Sequence, residues 1–589
     1  MLGKLSEEQL GGIVDECIGR SPLTLAHDPQ QKARAIDMAR RCGLLESIRQ
    51  RLTPDQPIEA FRHSEYRAFL TTGQREPDDA RRRRQRTQLQ LAADACYLGD
   101  DQRAYLQDLL WATCETTWWV AAAHQEPNGP LDLLSTMMAA QLAEIVDLLG
   151  DRLDAEVVDR VTAEVRRRVL EPYLDPRYRH IWWRKNSNNW NAVCHGGVST
   201  AAIILQNDPE KLTRTLATAL SDMEIFVGGF TDDGGCTEGP GYWRYGFGWF
   251  MKIAERLHDW SAGRIDITGD PKIGRIARYP LATCVRPGVD LPFADYHGGG
   301  KLSPLLALRI NRFFDVPELY ALCPRNEDDT LKLSNLDEAL RYDGRPVPAT
   351  PPTGDKLLAE LGTALLRTAE GKVALGAKAG HNGEHHNHND VGSFVVYQEG
   401  TEFITDPGAP QYTARTFSPR RYEIALCNSF GHSVPVIDGQ LQKPGREYGG
   451  TLSAEGLNED TTRRLTIELA GAYDVPGLAR CTRVLELPAD GAELRLADTF
   501  VFDGPGHEVQ EAFISKVPAA AAPDGRTVAI GDDASGVVTL AAESAGRFTV
   551  TDLTEQVADD AKTGTRLWRT AFTPGESAER MTLRFVVRL

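Results

Sequence analysis

Between residues 345 and 354 the chain reads RPVPATPPTG, and the hydrophobic residues keep different periods on its two sides. Upstream, apolar positions recur three and four apart in QLAADACYL, the run from Tyr105 to Ala123, LDLLSTMMAAQLAEIVDLLG, AEVVDRVTAEVRRRVL, VSTAAIILQ, KLTRTLATALSDMEIFVG and GWFMKIAERLHDW. That period marks one face of an α-helix. Downstream, short alternating runs such as KVALGAKAG, SFVVYQ, EFITD, CTRVLELP, ELRLADTFVF and MTLRFVVRL are broken by turn residues. The breaks come roughly every eight to twelve positions, the rhythm of an antiparallel sandwich. The proline-rich stretch continues neither pattern and reads as a linker or chain reversal. The expected organisation is a helical domain over 1–344 with no strand, a linker over 345–360 and an antiparallel β-sandwich over 361–589. A chain of 589 residues is too long for one core. A many-helix domain of this length is compatible with helix pairs closing into an (α/α) toroid.

Composition narrows the partners. The formal charge of -17 disfavours nucleic acid, which needs clustered Lys and Arg, although an acidic protein can still take an acidic substrate in a locally basic cleft. The ten cysteines are scattered without a CxxC pair and read as reduced and buried. The N-terminal MLGKLSEEQLGGIVDECIGR carries charges where a signal peptide needs an apolar core, and no stretch reaches about 18 uncharged apolar residues. The expectation is a cytoplasmic protein with no membrane partner. Ser6 and Gln9 have capping-box spacing and predict a helix near residues 6–19. Arg81 to Arg84 read as a solvated helix face.

Three segments concentrate reactive side chains. HHNHNDVG, from His385 to Gly392, packs three imidazoles into four residues. Run extended, it places His386, His388 and Asp390 on one face. SFVVYQEGTEFITDPG reads as a hairpin ending on Asp406, and His432 follows, so His388, Asp406 and His432 make a two-imidazole, one-carboxylate set that suits zinc. The bland alternative is that His388 bonds within the sandwich and Asp406 begins a turn. WWRKNSNNWNAVCHGG (182–197) suggests a helix N-terminus lined by Arg184, Asn188, Asn189, Asn191 and His195, where Asn188 or Asn189 is explained equally well as a cap. FTDDGGCTEGPGYWRYGFGWF (230–250) sets Tyr242, Trp243 and Tyr245 behind glycine-rich turns, with Glu238 in a cleft-like loop.

NNWNAVCHGG, DDGGCTEGPGYWRYG and HHNHNDVGSFVVYQEGTEFITDPG resemble, in this order, motifs of the heparinase II/III-like polysaccharide lyases, a family that includes alginate and oligoalginate lyases. The resemblance implies an N-terminal (α/α) toroid, a C-terminal antiparallel β-sandwich and β-elimination on uronic-acid glycans. An Asn or His neutralises the uronate carboxylate, a role that falls on Asn191, with Asn189, His195 or Arg184 as further candidates for binding the sugar beside Trp243. Tyr242 or Tyr245 serves as the proton-transferring tyrosine, and His386 as the histidine base. Asn189 and Tyr242 are 53 residues apart and Asn191 and Tyr245 are 54 apart, so spacing does not choose between the pairs. The resemblance also implies one structural zinc on His388, Asp406 and His432, no organic cofactor, and an acidic oligosaccharide or polysaccharide as substrate. Which glycan is cut, and whether the protein forms a homodimer, stay open.

Two other functions fit the residues. A glycoside hydrolase on a similar toroid needs two carboxylates across the scissile bond, which Asp232, Asp233 and Glu238 could supply. A non-catalytic carbohydrate-binding protein would use Trp182, Trp183 and Trp243 as stacking platforms, but has no use for the histidine cluster.

Overall fold

The computed structural model describes residues 2–76, 78–125, 129–296 and 298–589. They form two compact units. One contains residues 1–230, 242–277 and 301–350; the other contains 231–241, 278–300 and 351–589.

The first unit is helical. Its opening helix, Glu7–Cys17, carries the expected capping box between Ser6 and Gln9. Its centre is the helix Asn189–Leu205, buried over most of its length and packed on Leu133–Leu149, Pro209–Gly228 and Gly248–Trp260. The packing is close: a Cβ on Gly197 would stand 2.7 Å from the Thr136 carbonyl oxygen, so only glycine fits. Leu133–Arg152 is the one described helix long and apolar enough to cross a membrane, and it is 61% buried inside the protein, which accounts for its apolar composition.

The arginine run departs from the expected solvated face. Arg83 and Arg84 are exposed, but Arg81 and Arg82 are buried on Asp78, whose two oxygens accept from Arg81 Nη2 at 2.9 Å and Arg82 Nε at 2.7 Å. Arg82 also donates to the carbonyls of Trp118, Trp119 and Val120. Charge composition marked this segment as surface. An acid three and four residues ahead neutralises both buried cations, and the free carbonyls take the remaining N–H groups of Arg82.

The second unit is an antiparallel β-sandwich. A nine-stranded sheet has at its middle Arg580–Arg588, Glu493–Phe502, Leu478–Leu487 and Arg463–Glu468, and ends on Gly380–Asn382. A five-stranded sheet runs Lys356–Leu358, Thr363–Arg367, Val373–Lys378, Phe394–Gln398, Thr401–Ile404. Leu375, Phe394, Val396, Leu465, Leu485, Phe500, Phe513 and Phe585 belong to one buried core. Alternation along Glu493–Phe502 places Leu494, Leu496, Asp498, Phe500 and Phe502 inside, as the period of two requires. The predicted hairpin is present: Phe394–Gln398 pairs with Thr401–Ile404 across Glu399 and Gly400, both at positive φ, as in a type I′ turn.

The unit boundaries differ from the division at 344 and 361. Strand structure begins at Lys356, inside the expected linker. A hairpin of Cys284–Arg286 with Val289–Asp290 stands where only helices were expected. Its neighbours Leu291 and Phe293 pack with Leu365, Ala374, Val395 and Tyr397, so residues 278–300 join the sandwich through an apolar contact that local periodicity does not show.

One buried cation ties the sandwich to the histidine loop. Arg483, fully buried, pairs through Nη2 with Asp498 at 2.7 Å and Glu511 at 3.0 Å, and donates through Nη1 to the carbonyls of Gly392 and Ser433. Gly392 ends the histidine motif and Ser433 follows His432. Arg483→Leu should destabilise the β unit by about 3–5 kcal/mol, because it leaves two buried carboxyls without their counter-charge. Chemical denaturation followed by circular dichroism tests this, and a midpoint equal to wild type would show that the cluster contributes nothing net.

Candidate active site and metal centre

In the β unit the histidine motif is an irregular loop between Gly380–Asn382 and Phe394–Gln398, not the extended segment expected. Gln442 anchors it, accepting from the Val391 N–H through Oε1 (3.0 Å) and donating to the Val391 carbonyl (2.7 Å). His386 adopts φ +57°, a left-handed backbone that costs on the order of 1 kcal/mol outside glycine. The Asp295 N–H holds it there through the His386 carbonyl at 3.1 Å.

His386 and His388 turn to one carboxylate. His386 Nδ1 is 2.9 Å from Asp295 Oδ2, and His388 Nε2 is 3.0 Å from Oδ1. Arg421 Nη2 donates to Oδ1 at 2.7 Å and the Tyr412 hydroxyl to Oδ2 at 2.9 Å. Burial opposes the charge on Asp295, but hydrogen bonds from the two histidines and the Arg421 charge outweigh it and hold the carboxyl well below its usual range. A carboxylate only accepts, so each facing ring nitrogen carries its proton. In the neutral ring this leaves His386 Nε2 as an acceptor; it lies 3.7 Å from Glu238 Oε2.

Behind this site the three predicted ligands meet. His388, Asp390, Asp406 and His432, all buried, bring one donor atom each to within 4.8 Å of one another. Four of these atoms, His388 Nδ1, Asp390 Oδ2, Asp406 Oδ2 and His432 Nδ1, have no hydrogen-bond partner among the described residues. Their chemistry fits a cation. His432 Nδ1 and Asp406 Oδ2 stand 3.2 Å apart, close to the roughly 3.3–3.5 Å separating neighbouring donors of a tetrahedral site with bonds of about 2.0–2.1 Å. Each imidazole is fixed from behind, His388 by Asp295 and His432 by the Leu426 carbonyl at 3.2 Å, which directs the Nδ1 lone pairs inward. Burial lowers the His388 pKa and keeps it neutral. Asp406 also begins a turn, its Oδ1 accepting from the Gly408 N–H at 2.8 Å, so the bland role and the ligand role use different oxygens. Asp295, His388 and Cys427 form a second possible trio. It fits less well: four donors already occupy Asp295, and burial pushes the Cys427 thiol up to about 12.

In the helical unit the second motif divides. Asn188 caps the helix, accepting from the Trp190 N–H at 3.2 Å. Asn191, assigned to the uronate carboxylate, spends both amide hydrogens on the carbonyls of Arg184 and Asp222. Arg184 donates to the Tyr173 carbonyl, lies over the Tyr173 ring at 4.2 Å and is 3% exposed. His195 is fully buried with Nδ1 2.6 Å from the Tyr173 hydroxyl; burial, then Arg184 and Lys185, hold its pKa well below the ordinary value. Trp243 is 1% exposed and donates to the Ile276 carbonyl at 2.8 Å. These four residues are buried and belong to the core and its hydrogen-bond network. Asn189 differs. It packs on Gly246, where a Cβ would lie 3.0 Å from its own Cβ. Gly246 belongs to the π-helical turn Trp243–Phe247, which follows Tyr242 and contains Tyr245. π turns inside helices often mark functional sites. The Tyr245 hydroxyl donates to Met137 Sδ at 3.3 Å; burial pushes its pKa up, with Arg86 opposing. The helical unit thus joins Asn189 to the tyrosine turn and binds Asn191, Arg184, His195 and Trp243 into its core.

Sequence reasoning missed Asp295, Tyr412 and Arg421. Asp295 lies in PFADYHGGG, where an acid and a tyrosine beside a glycine run were the available signal.

Residues 350–583 match the family model described as Heparinase II/III-like, C-terminal. No curated protein matches the chain. Among solved structures it is similar to a heparinase III at 15% identity and TM-score 0.61, over 98% of this chain and 92% of that one. A mutant of the heparan sulfate lyase HepC from Pedobacter heparinus is similar at 13% identity and TM-score 0.58, over 87% and 77%. The chondroitin AC lyase of Streptomyces coelicolor A3, in complex with chondroitin sulphate, is similar at 13% identity and TM-score 0.53, over 99% and 82%. At such identities the likeness is one of fold, an (α/α) toroid followed by an antiparallel β-sandwich. Residues 350–583 thus match the C-terminal model of the heparinase II/III-like family, and nearly the whole chain shares its fold with a solved heparinase III.

Proposed function

We propose that the protein cleaves uronic-acid-containing glycans by β-elimination. The observation that carries this reading is His386, part-buried and fixed by Asp295 so that Nε2 is an acceptor. In the reaction a base removes the C5 proton, the C4–O bond breaks as a C4–C5 double bond forms, and the departing oxygen receives a proton. A proton α to a carboxylate is too weakly acidic unless the developing negative charge is stabilised, which amide donors aimed at the carboxylate provide. Asn191 or Asn189 takes that role. His386 is the base, and Tyr242 or Tyr245 transfers the second proton.

The competing functions fit less well. Asp233 spends its oxygens on Thr231, Gly235 and the Glu360 N–H, so it builds a turn and does not supply the second carboxylate of a hydrolase. Trp183 and Trp243 are core residues, and of the three proposed stacking platforms only Trp182 reaches the surface. Incubation with a panel of uronate polymers and oligomers tests the reading. Elimination gives an ultraviolet-absorbing unsaturated end, hydrolysis gives new reducing ends without absorbance, and binding without turnover would favour the non-catalytic function.

A zinc ion on His388, Asp406 and His432, with Asp390 as a fourth donor, would neutralise this buried acidic cluster and hold the loop. Purified protein should contain close to one equivalent. A ligand at a hundred times its dissociation constant stabilises by about 2.7 kcal/mol, so chelation should lower the melting temperature on the order of 5–10 °C. Protein that is equally stable and free of metal would leave the cluster a hydrogen-bonded core.

A further inference from the structure

We infer that Asp295 is a positioning residue that fixes two histidines with different tasks, the reacting His386 and the cation ligand His388, so that one carboxylate serves both base and metal centre. The inference rests on the lyase reading for the role of His386; the role of His388 rests on the cluster of donor atoms alone. Each Asp295 oxygen has two partners: Oδ2 takes His386 Nδ1 and the Tyr412 hydroxyl, both at 2.9 Å, and Oδ1 takes His388 Nε2 at 3.0 Å and Arg421 Nη2 at 2.7 Å. Both ring orientations follow from this. With its Nδ1 proton held, His386 presents Nε2 as an acceptor; with its Nε2 proton held, His388 presents Nδ1 to Asp406 and His432.

The arrangement is over-determined at the carboxylate. The Asp295 side chain is fully buried, its N–H also holds the His386 carbonyl at 3.1 Å, and Tyr412 lies against the His386 ring with centroids 6.1 Å apart. Arg421 reaches across to the Asn387 carbonyl at 3.0 Å, between the two histidines, so the same guanidinium fixes the loop backbone and the carboxylate. Neither histidine can turn without losing a bond to this one side chain. Asparagine has nearly the same shape, but one oxygen becomes an NH2 group facing N–H or O–H donors.

Asp295→Asn should therefore show two losses together. Zinc retention against a competing chelator should weaken about 10- to 100-fold, and kcat should fall at least about 10²-fold with KM changed less than about threefold. The single variants separate the effects: His386→Ala should lose kcat and keep zinc, and His388→Ala should lose zinc. Asp295→Asn that keeps wild-type zinc retention, or keeps kcat, overturns the inference. If Asp295→Asn does not fold, Arg421→Met, which leaves the carboxylate and both rings, should weaken zinc retention and kcat together, and a change in only one would equally overturn it. A wild type inert on every uronate glycan defeats the lyase reading, not this one. Zinc loss, and a crystal structure of Asp295→Asn with both rings turned, would then support the inference, and unmoved rings would end it.

Discussion

His386→Ala should lower kcat by roughly 10²- to 10⁴-fold, the usual contribution of a positioned general base, while the purified protein keeps its metal. His386 Nδ1 is held by Asp295, whereas the cluster with unpartnered donor atoms is made by His388, Asp390, Asp406 and His432. Removing the His386 imidazole takes away proton transfer and leaves those four donors. Its left-handed backbone is also easier to keep with a small side chain than with a β-branched one, so alanine is the informative substitution. Metal content falling in step with activity would mean that the two histidines have exchanged roles.

Tyr242→Phe or Tyr245→Phe, but not both, should reduce turnover by a similar 10²- to 10⁴-fold with oligosaccharide affinity nearly unchanged. Each substitution removes one hydroxyl and keeps the ring. Both are part-buried, but their surroundings differ: Tyr245 places its hydroxyl against Met137 Sδ, with burial raising its pKa, while Tyr242 opens the turn. Near-native kcat in both variants would remove tyrosine from the mechanism and leave His386 to carry both proton transfers.

Local pattern revealed what is local. The capping box at Ser6 and Gln9, the Glu399-Gly400 hairpin and the change of period near residue 345 each depend on residues a few positions apart, and each is present. The ligand set His388, Asp406 and His432 was readable because coordination restricts residue types so strongly, and the structure brings these three together with Asp390. Asp295 was not readable, since its partners lie 91 and 93 positions away. Asn191 and Arg184 are ambiguous for a related reason. A polar residue in a dense motif looks the same whether it faces a ligand or, as here, the carbonyls of Asp222 and Tyr173. Arg81 and Arg82 show the same ambiguity among charges, settled by Asp78.

The π turn at Trp243–Phe247 carries one residue more than an α-helical turn would hold. Each helical residue advances by about 100° around the axis, so losing one here would let the helix close into regular α geometry and swing Tyr242 by roughly that angle relative to Gly248–Trp260. Chain length in this segment therefore sets the direction of the Tyr242 side chain. Variation by single-residue insertion or deletion should be far less tolerated between Tyr242 and Gly248 than substitution at any one of its positions.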